Sequence, residues 1–397
     1  ARTITINPGT STISAGIRHR IPDGLTFDVA TGGTLNFSGI ITQDPTAGDV
    51  IKAGPGLMNM TGVATYTDNT TISGGTFQIG GAGNLGSGSY AGAISIASGA
   101  TLTYSSSANQ TLSGVISGTG TLTKDTSAVS TLTLTATNTY TGPTIVSAGT
   151  LEFLNTAPGF PTGTSSGVSV AAGATVSFNR TTNIGPSNGT NYKNLSGPGS
   201  VIVNGTNSSS PLLLDGGWTL FIGTVNLTGA IDVQSGILAA QSGGIWTGTT
   251  ASLNVAAGAQ FLLHNADATV DEMTGAGTIG TGWPTAQTLT VGAGNSSGTF
   301  NGVIAGNGVG NSNADIGDGV LSLIKTGTGT QTLSGANTYS GGTTILGGTL
   351  IAGHTSAFGT GSITCDTSCT PSTCVIDKGG FSISNSIVNP ENCTITP

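Results

Sequence analysis

The sequence predicts an all-β protein, a parallel β-solenoid of about four and a half degenerate modules closed by a disulfide-stapled C-terminal segment. Three observations predict it. Aliphatic residues come in short pieces such as TITI, AISIA and TLTLT, alternating with Thr or Ser, which is the period-2 pattern of half-buried strands. Gly stands at 67 of 397 positions with no three-residue period, so collagen is excluded and Gly is left for corners. Long stretches also recur. Segments with helical apolar spacing and good helix formers are missing, so helix is expected to be negligible.

The recurrence defines the elements. GPGLMNMTGVATYTDNTTISGGTFQIG at 54–80 aligns without a gap beneath GTGTQTLSGANTYSGGTTILGGTLIAG at 327–353. A third copy at 130–153 brings Tyr140 into register with Tyr66 and Tyr339, and a degenerate fourth at 218–240 lacks the Tyr. A second element, VATGGTLNF, IASGATLTY, VAAGATVSF and VAAGAQFLL, begins at 29, 96, 170 and 255. A third begins at 112, 195 and 273 with LSGVISGTGTLTK, LSGPGSVIVN and MTGAGTIGT. These place modules near 29–91, 92–166, 167–250 and 251–353 in one continuous solenoid over 1–363, followed by a Cys-containing cap or docking segment over 364–397.

Repeats of this kind stack, because each rung leaves backbone edges that only a neighbouring rung satisfies. Rungs of about 20 to 25 residues place Ile, Leu, Val and Ala inward and Thr, Ser and Asn outward. Tyr66, Tyr140 and Tyr339 admit two readings: a stripe for sugar rings, or a tyrosine packed at each corner with its hydroxyl reaching a neighbour.

LTVGAGNSSGTFNGVIAGNG, followed by LIKTGTGTQTLSGANTYSGGTTILGGTLIAG, resembles the passenger-associated repeat of bacterial autotransporters, and LSGVISGTGTLTK resembles the same unit. The resemblance spans roughly residues 25–363. It implies a right-handed parallel β-helix displayed outside a Gram-negative-type cell.

Charge narrows the function. Nine Lys plus Arg against seventeen Asp plus Glu give a formal charge of −8, with the basic residues scattered singly. Nucleic acid needs clustered cations and is excluded, and anionic membrane surfaces are disfavoured. No run of about 20 apolar residues exists, so no transmembrane segment is expected. A chain that opens on ARTITI reads as a mature product from which a signal peptide has been removed.

Cys365, Cys369, Cys374 and Cys393 all fall within the C-terminal segment. With only His354 nearby and no CxxC, two disulfides of undetermined connectivity are expected rather than zinc, in an oxidising place outside the cytosol.

Parallel β-helices include polysaccharide-active enzymes, whose sites need clustered carboxylates. The candidates are Asp215 with Asp232, and Asp267 with Asp271 and Glu272; all are expected to be solvated loop carboxylates. Arg180 and Lys193 fall in an irregular insertion that reads as a decorated corner. Asp315 and Asp318 offer hard oxygens for calcium in a broken nonapeptide register; no other cofactor is expected. His19, His264 and His354 share no ligand spacing, and neither a GxSxG elbow nor a Walker loop occurs.

The expectation is a non-enzymatic extracellular structural protein, the β-solenoid subunit of a bacterial surface fibre or head-to-tail filament. Its self-assembly edges are Thr3, Ile4, Thr5 and Ile6 at one end and Ile383, Ile387 and Ile395 at the other. The alternative is a monomeric adhesin that binds glycans or surfaces; a polysaccharide-active enzyme has the least support.

Overall fold

A computed structural model shows the all-β parallel solenoid that the periodicity predicts. The structure describes residues 2–19, 24–44, 48–126, 129–154, 167–180, 190–192, 194–205, 218–221, 224–241, 246, 248–281, 285–306 and 319–397. Every strand pair registered among them is parallel, and among the described residues helix is confined to the single 3-10 turns Gly86–Gly88 and Pro390–Asn392. The chain forms two compact units, Ala1–Asn179 and Arg180–Pro397.

In the first unit one ladder climbs through Arg2–Ile6, Leu25–Val29, Val50–Ala53, Thr70–Ile72, Ile94–Ile96 and Ile116–Gly118. A second starts with Gly9–Ile13 and Gly33–Phe37, and a third starts with Ile17–His19 and Ile41–Gln43. The step from one rung to the next is short where Leu57 meets Thr76 and longer where Leu25 meets Val50.

The pleat explains the register. In Leu25–Val29 the residues Leu25, Phe27 and Val29 are buried while Thr26 and Asp28 are half-buried, so a one-residue slip would turn the apolar row outward. Burying each such side chain contributes roughly 1.5–3 kcal/mol.

The second unit repeats the plan. Its longest ladder runs through Ser200–Gly205, Ala230–Val233, Ser252–Val255, Met273–Gly275, Gly298–Phe300, Thr330–Leu333, Gly348–Ala352, Cys374–Asp377 and Thr394–Thr396. The rung step varies more here, from the tight one between Gln260 and Thr278 to the long one between Gln287 and Leu321, because some rungs accept inserted sequence. The C-terminal residues join the same stack: Cys374–Asp377 pairs with Gly348–Ala352, and Ile387–Val388 pairs with Ile363–Cys365.

Glycine has two separate uses. In the second repeated element, Gly99, Gly173 and Gly258 have φ of 75°, 76° and 82° at the third position of a four-residue turn. In each, the N–H of the following Ala bonds to the carbonyl three residues back. Elsewhere backbone crowding demands glycine: a Cβ on Gly302 would lie 1.9 Å from the Gly277 carbonyl oxygen, and one on Gly335 would lie 1.8 Å from that of Gly302. Glycine therefore stacks on glycine over three rungs, and no larger residue fits.

Candidate functional site

The recurring tyrosines are built from the strand that follows them. Tyr66, Tyr140 and Tyr339 are each 0% exposed, and each hydroxyl meets the Oγ1 of the Thr four residues on: Thr70 at 2.8 Å, Thr144 at 2.7 Å and Thr343 at 2.7 Å. Thr70 also meets the hydroxyl of Tyr90 at 2.8 Å, and the Tyr66 and Tyr90 rings cross edge to face at 5.5 Å. Burial drives all three repeat phenols well above the usual tyrosine range, against the hydrogen bond from the Thr. No ring face among the three is open to a sugar. The Asn two residues before the Tyr extends the corner: Asn138 Oδ1 accepts from the Ile116 N–H at 2.8 Å, and Asn337 Oδ1 accepts from the Ile304 N–H at 2.7 Å.

Three buried lysines are residues that the sequence reading passed over. Lys52, Lys124 and Lys325 occupy inward positions at or next to strand ends, 1%, 0% and 1% exposed. Lys52 Nζ donates to the carbonyls of Ala53 (2.8 Å), Gly54 (2.8 Å) and Gly74 (3.0 Å). Lys325 Nζ donates to those of Thr326 (2.6 Å) and Gly347 (3.2 Å). These ammonium groups cap corner carbonyls that the ladder leaves without donors. Burial pulls the Lys52 and Lys325 amines down to about 8, opposed by the charges of Asp28 and Asp271 respectively, and Lys124 is lowered for the same reason, opposed by Asp125. The signal was legible, since each Lys follows an alternating strand and comes a short, nearly constant step before a repeat tyrosine: Lys52 before Tyr66, Lys124 before Tyr140, Lys325 before Tyr339.

The candidate carboxylates bind their own fold. Asp232 accepts from Gln234 Nε2 at 2.7 Å and from Asn254 Nδ2, one rung on, at 2.6 Å; Asn254 Oδ1 accepts in turn from Thr274 Oγ1 at 3.2 Å. Asp267 accepts from the Thr288 N–H at 2.7 Å. Asp271 is 5% exposed and accepts from the N–H groups of Gly294 (2.7 Å) and Ser296 (3.1 Å). Glu272 Oε1 accepts from the Ser252 hydroxyl at 2.7 Å, while its Oε2 is buried with no donor among the described residues.

Asp271 and Glu272 are thus brought together and driven apart in acidity. Burial would raise Asp271, but the Ser296 hydroxyl and N–H, the Glu272 carboxyl and the Gly294 N–H outweigh it and hold that carboxyl below its usual range. Glu272 is pushed up, first by burial, then by its hydrogen bond to Asp271 and by the charge there, against the Ser252 hydroxyl. The pair is two carboxyls shifted in opposite directions, with Asp271 Oδ1 committed to two backbone N–H groups. Expected as solvated loop groups, Asp271 is in fact buried and Glu272 half-buried, because the rung above supplies N–H donors that the sequence pattern does not reveal.

Arg180 ends the strand Thr175–Arg180, but its side chain, like Asp215, Lys193, Asp315 and Asp318, lies outside the described residues. His354 Nδ1 accepts from the Ser356 N–H at 3.0 Å, burial lowers His264, and His19 is 3% exposed. Among the described residues no group of three or more His, Cys, Asp or Glu is arranged to hold a metal ion.

The four cysteines pair as Cys365–Cys393 and Cys369–Cys374. The first ties Ile363–Cys365 to the residue before Thr394–Thr396, and the second closes the turn between Ile363–Cys365 and Cys374–Asp377. Of the proposed edge residues, Thr3 and Thr5 are on the outer side of Arg2–Ile6, Ile4 is more exposed than the buried Ile6, and the strand is partnered on one side only among the described residues. Ile387 and Ile395 are half-buried on terminal strands likewise partnered on one side, and Ile383 lies between strands.

A family model described as passenger-associated-transport-repeat matches residues 50–79, 130–153 and 323–352. In the first and third matches Lys52 and Lys325 hold the same position, as do Tyr66 and Tyr339. No curated protein and no solved structure matched the chain. No helix among the described residues is long and apolar enough to cross a membrane.

Proposed function

We propose that this chain, which carries three copies of the passenger-associated-transport repeat of bacterial autotransporters, is a non-enzymatic structural protein of passenger type. It is displayed outside a bacterial cell as the subunit of a surface fibre or head-to-tail filament. One observation carries the reading: Asp232, Asp267, Asp271 and Glu272, the carboxylates a polysaccharide-active site would draw on, are engaged with rung-to-rung and loop donors. Their chemistry serves the stack. Terminal strands that are partnered on one side only among the described residues would supply the means of assembly.

The test is negative-stain electron microscopy over a dilution series, with turnover assays on acidic and neutral polysaccharides. Filaments that disappear when residues 1–14 are deleted, with no turnover, support the reading. Polymers of normal length from that variant remove edge pairing, and turnover abolished by Asp271→Asn would establish an enzyme.

The adhesin reading rests on a different feature. Asn36, Asn59 and Gln78 form an amide ladder on one half-buried face, Asn59 Nδ2 donating to Asn36 Oδ1 at 3.2 Å and Gln78 Nε2 donating to Asn59 Oδ1 at 3.3 Å. A row of amides suits hydrogen bonding to a glycan. Isolated monomers at every concentration, with glycan-array binding lost in Asn59→Ala, would favour it.

A further inference from the structure

In the first unit, the ladder that starts with Gly9–Ile13 carries a face whose hydroxyls the fold does not use. Its strands Gly9–Ile13, Gly33–Phe37, Leu57–Met60, Thr76–Gly81, Thr101–Ser106 and Thr121–Lys124 pair residue for residue, with no slip from one rung to the next. Alternation therefore sends two columns of side chains outward. One column holds Thr10, Thr34, Leu57, Thr76, Thr101 and Thr121. The other begins with Thr12, passes through the amides of Asn36, Asn59 and Gln78, and continues with Thr103 and Thr123. Lys124, the one charged residue in these strands, points inward. The neighbouring faces differ: Asp28 stands outward on Leu25–Val29, Arg18 on Ile17–His19 and Glu152 on Thr150–Leu154.

None of the threonine hydroxyls in the two columns bonds to another described group. Elsewhere the fold uses them: Thr70, Thr144 and Thr343 are tied to tyrosines, and Thr133 donates to Glu152 at 3.0 Å. The free hydroxyls are left for water. Each of these side chains is stiff at χ1 and presents a methyl group beside one donor and two acceptor sites. Stacked rungs set the hydroxyls about 4.8 Å apart along a column, and alternate residues set the columns about 6.6 Å apart. Water on such a face is ordered in two directions, at spacings close to the oxygen repeats of an ice surface. A charged group would turn that water toward itself, and neither column holds one.

We propose that this face binds ice. Ice is uncharged, repeats in two dimensions and meets every hydroxyl with both donors and acceptors, so a neutral, regular array is the surface that fits it. A sugar ring would draw on an aromatic platform, and no aromatic side chain stands in either column, since Phe37, Phe77 and Tyr104 all face the core. Side chains already held in place lose little freedom on contact, so many weak bonds along the columns add up. The inference is independent of how copies of the chain assemble.

Thermal hysteresis and partition into slowly grown ice test this with the full chain. The wild type is expected to facet ice crystals, to hold a gap between melting and freezing, and to enrich in the ice fraction at least threefold over serum albumin. Thr101→Lys and, separately, Thr34→Lys each place a charge among the hydroxyls and should shrink the gap at least threefold with an unchanged circular-dichroism spectrum. Thr71→Lys, outward on the neighbouring face at Thr70–Ile72, should leave the gap as it is. A wild type that behaves like albumin in both assays overturns the proposal. So does a full gap in both column variants, or an equal loss in Thr71→Lys. Glycan-array binding that is lost in Asn59→Ala, together with exclusion from ice, would assign the face to a glycan and overturn ice as its ligand.

Discussion

Lys52 Nζ reaches across one rung to the carbonyl of Gly74 at 3.0 Å, and Lys325 Nζ repeats the contact with Gly347 at 3.2 Å. The separation is 22 residues in both places. An ammonium thus serves as a corner bolt, joining two turns whose carbonyls point into a place that water does not reach. The arrangement stabilises by supplying donors and opposes itself by desolvating a charge.

That opposition fixes a pH dependence. The folded-state amines of Lys52 and Lys325 lie at about 8, against 10.5 when exposed. Between those values the unfolded chain binds more protons than the folded one, so stability rises with pH from about 8 toward 10.5. Above about 10 the buried tyrosines reverse the trend, because burial raises their folded-state pKa and keeps them protonated while the unfolded phenols ionise. Urea denaturation from pH 7 to 11 should therefore show a maximum near pH 10. A curve that falls steadily from pH 7 would contradict buried, desolvated amines. Lys52→Met should flatten the rise and, by leaving three carbonyls without their donor, lower stability at pH 7 by about 1–3 kcal/mol.

Tyr to Phe substitutions separate packing from the hydroxyl. Tyr140→Phe and Tyr339→Phe each remove one hydrogen bond to a buried Thr and should cost about 1 kcal/mol in denaturant melts. Tyr66→Phe should cost at least as much, since Thr70 is shared with Tyr90. Glycan binding, where present, should not change. Loss of binding in any of the three without loss of stability would return the tyrosines to a ligand role.

Asp271 and Glu272 are neighbours that should behave oppositely. Asp271→Asn replaces an ionised acceptor of two N–H bonds by an amide and should cost about 2 kcal/mol. Glu272→Gln exchanges a carboxyl that burial pushes toward its neutral form, so it should cost less than Asp271→Asn, most clearly at low pH. Raising the pH works against native Glu272, whose raised folded-state value gives stability present below its unfolded value and lost as pH climbs through the folded one. Equal losses from the two variants at low pH would contradict the opposite shifts.

Much of the fold was legible because a solenoid writes its register into the sequence. TLTYSS over Thr101–Ser106 and TLTK over Thr121–Lys124 alternate in phase, and the structure pairs them residue for residue. The corner tyrosines were legible as a repeat, and the Thr four residues on is present in all three copies. The lysines were legible by their near-constant step before the tyrosines, but their burial was not, because a lone charge in a polar run reads as surface. Only the rung above makes Lys325 a core residue. The same applies to Asp271, whose partners Gly294 and Ser296 belong to the next rung, with no spacing rule in the sequence to announce them.

The two disulfides should differ in consequence because they close loops of different length. Cys365–Cys393 spans 28 residues and joins two rungs, whereas Cys369–Cys374 spans 5 and closes one turn. On chain entropy alone the first is worth about 3.5 kcal/mol and the second about 2. The Cys365→Ala/Cys393→Ala pair should therefore release the terminal strand Thr394–Thr396, which Cys374–Asp377 holds on one side only among the described residues. Hydrogen exchange should quicken across 387–397 with little change before residue 348. The Cys369→Ala/Cys374→Ala pair should loosen only 366–373. If end-to-end assembly uses that terminal edge, the first pair should also weaken assembly and the second should not; similar assembly from both would separate the staple from the contact.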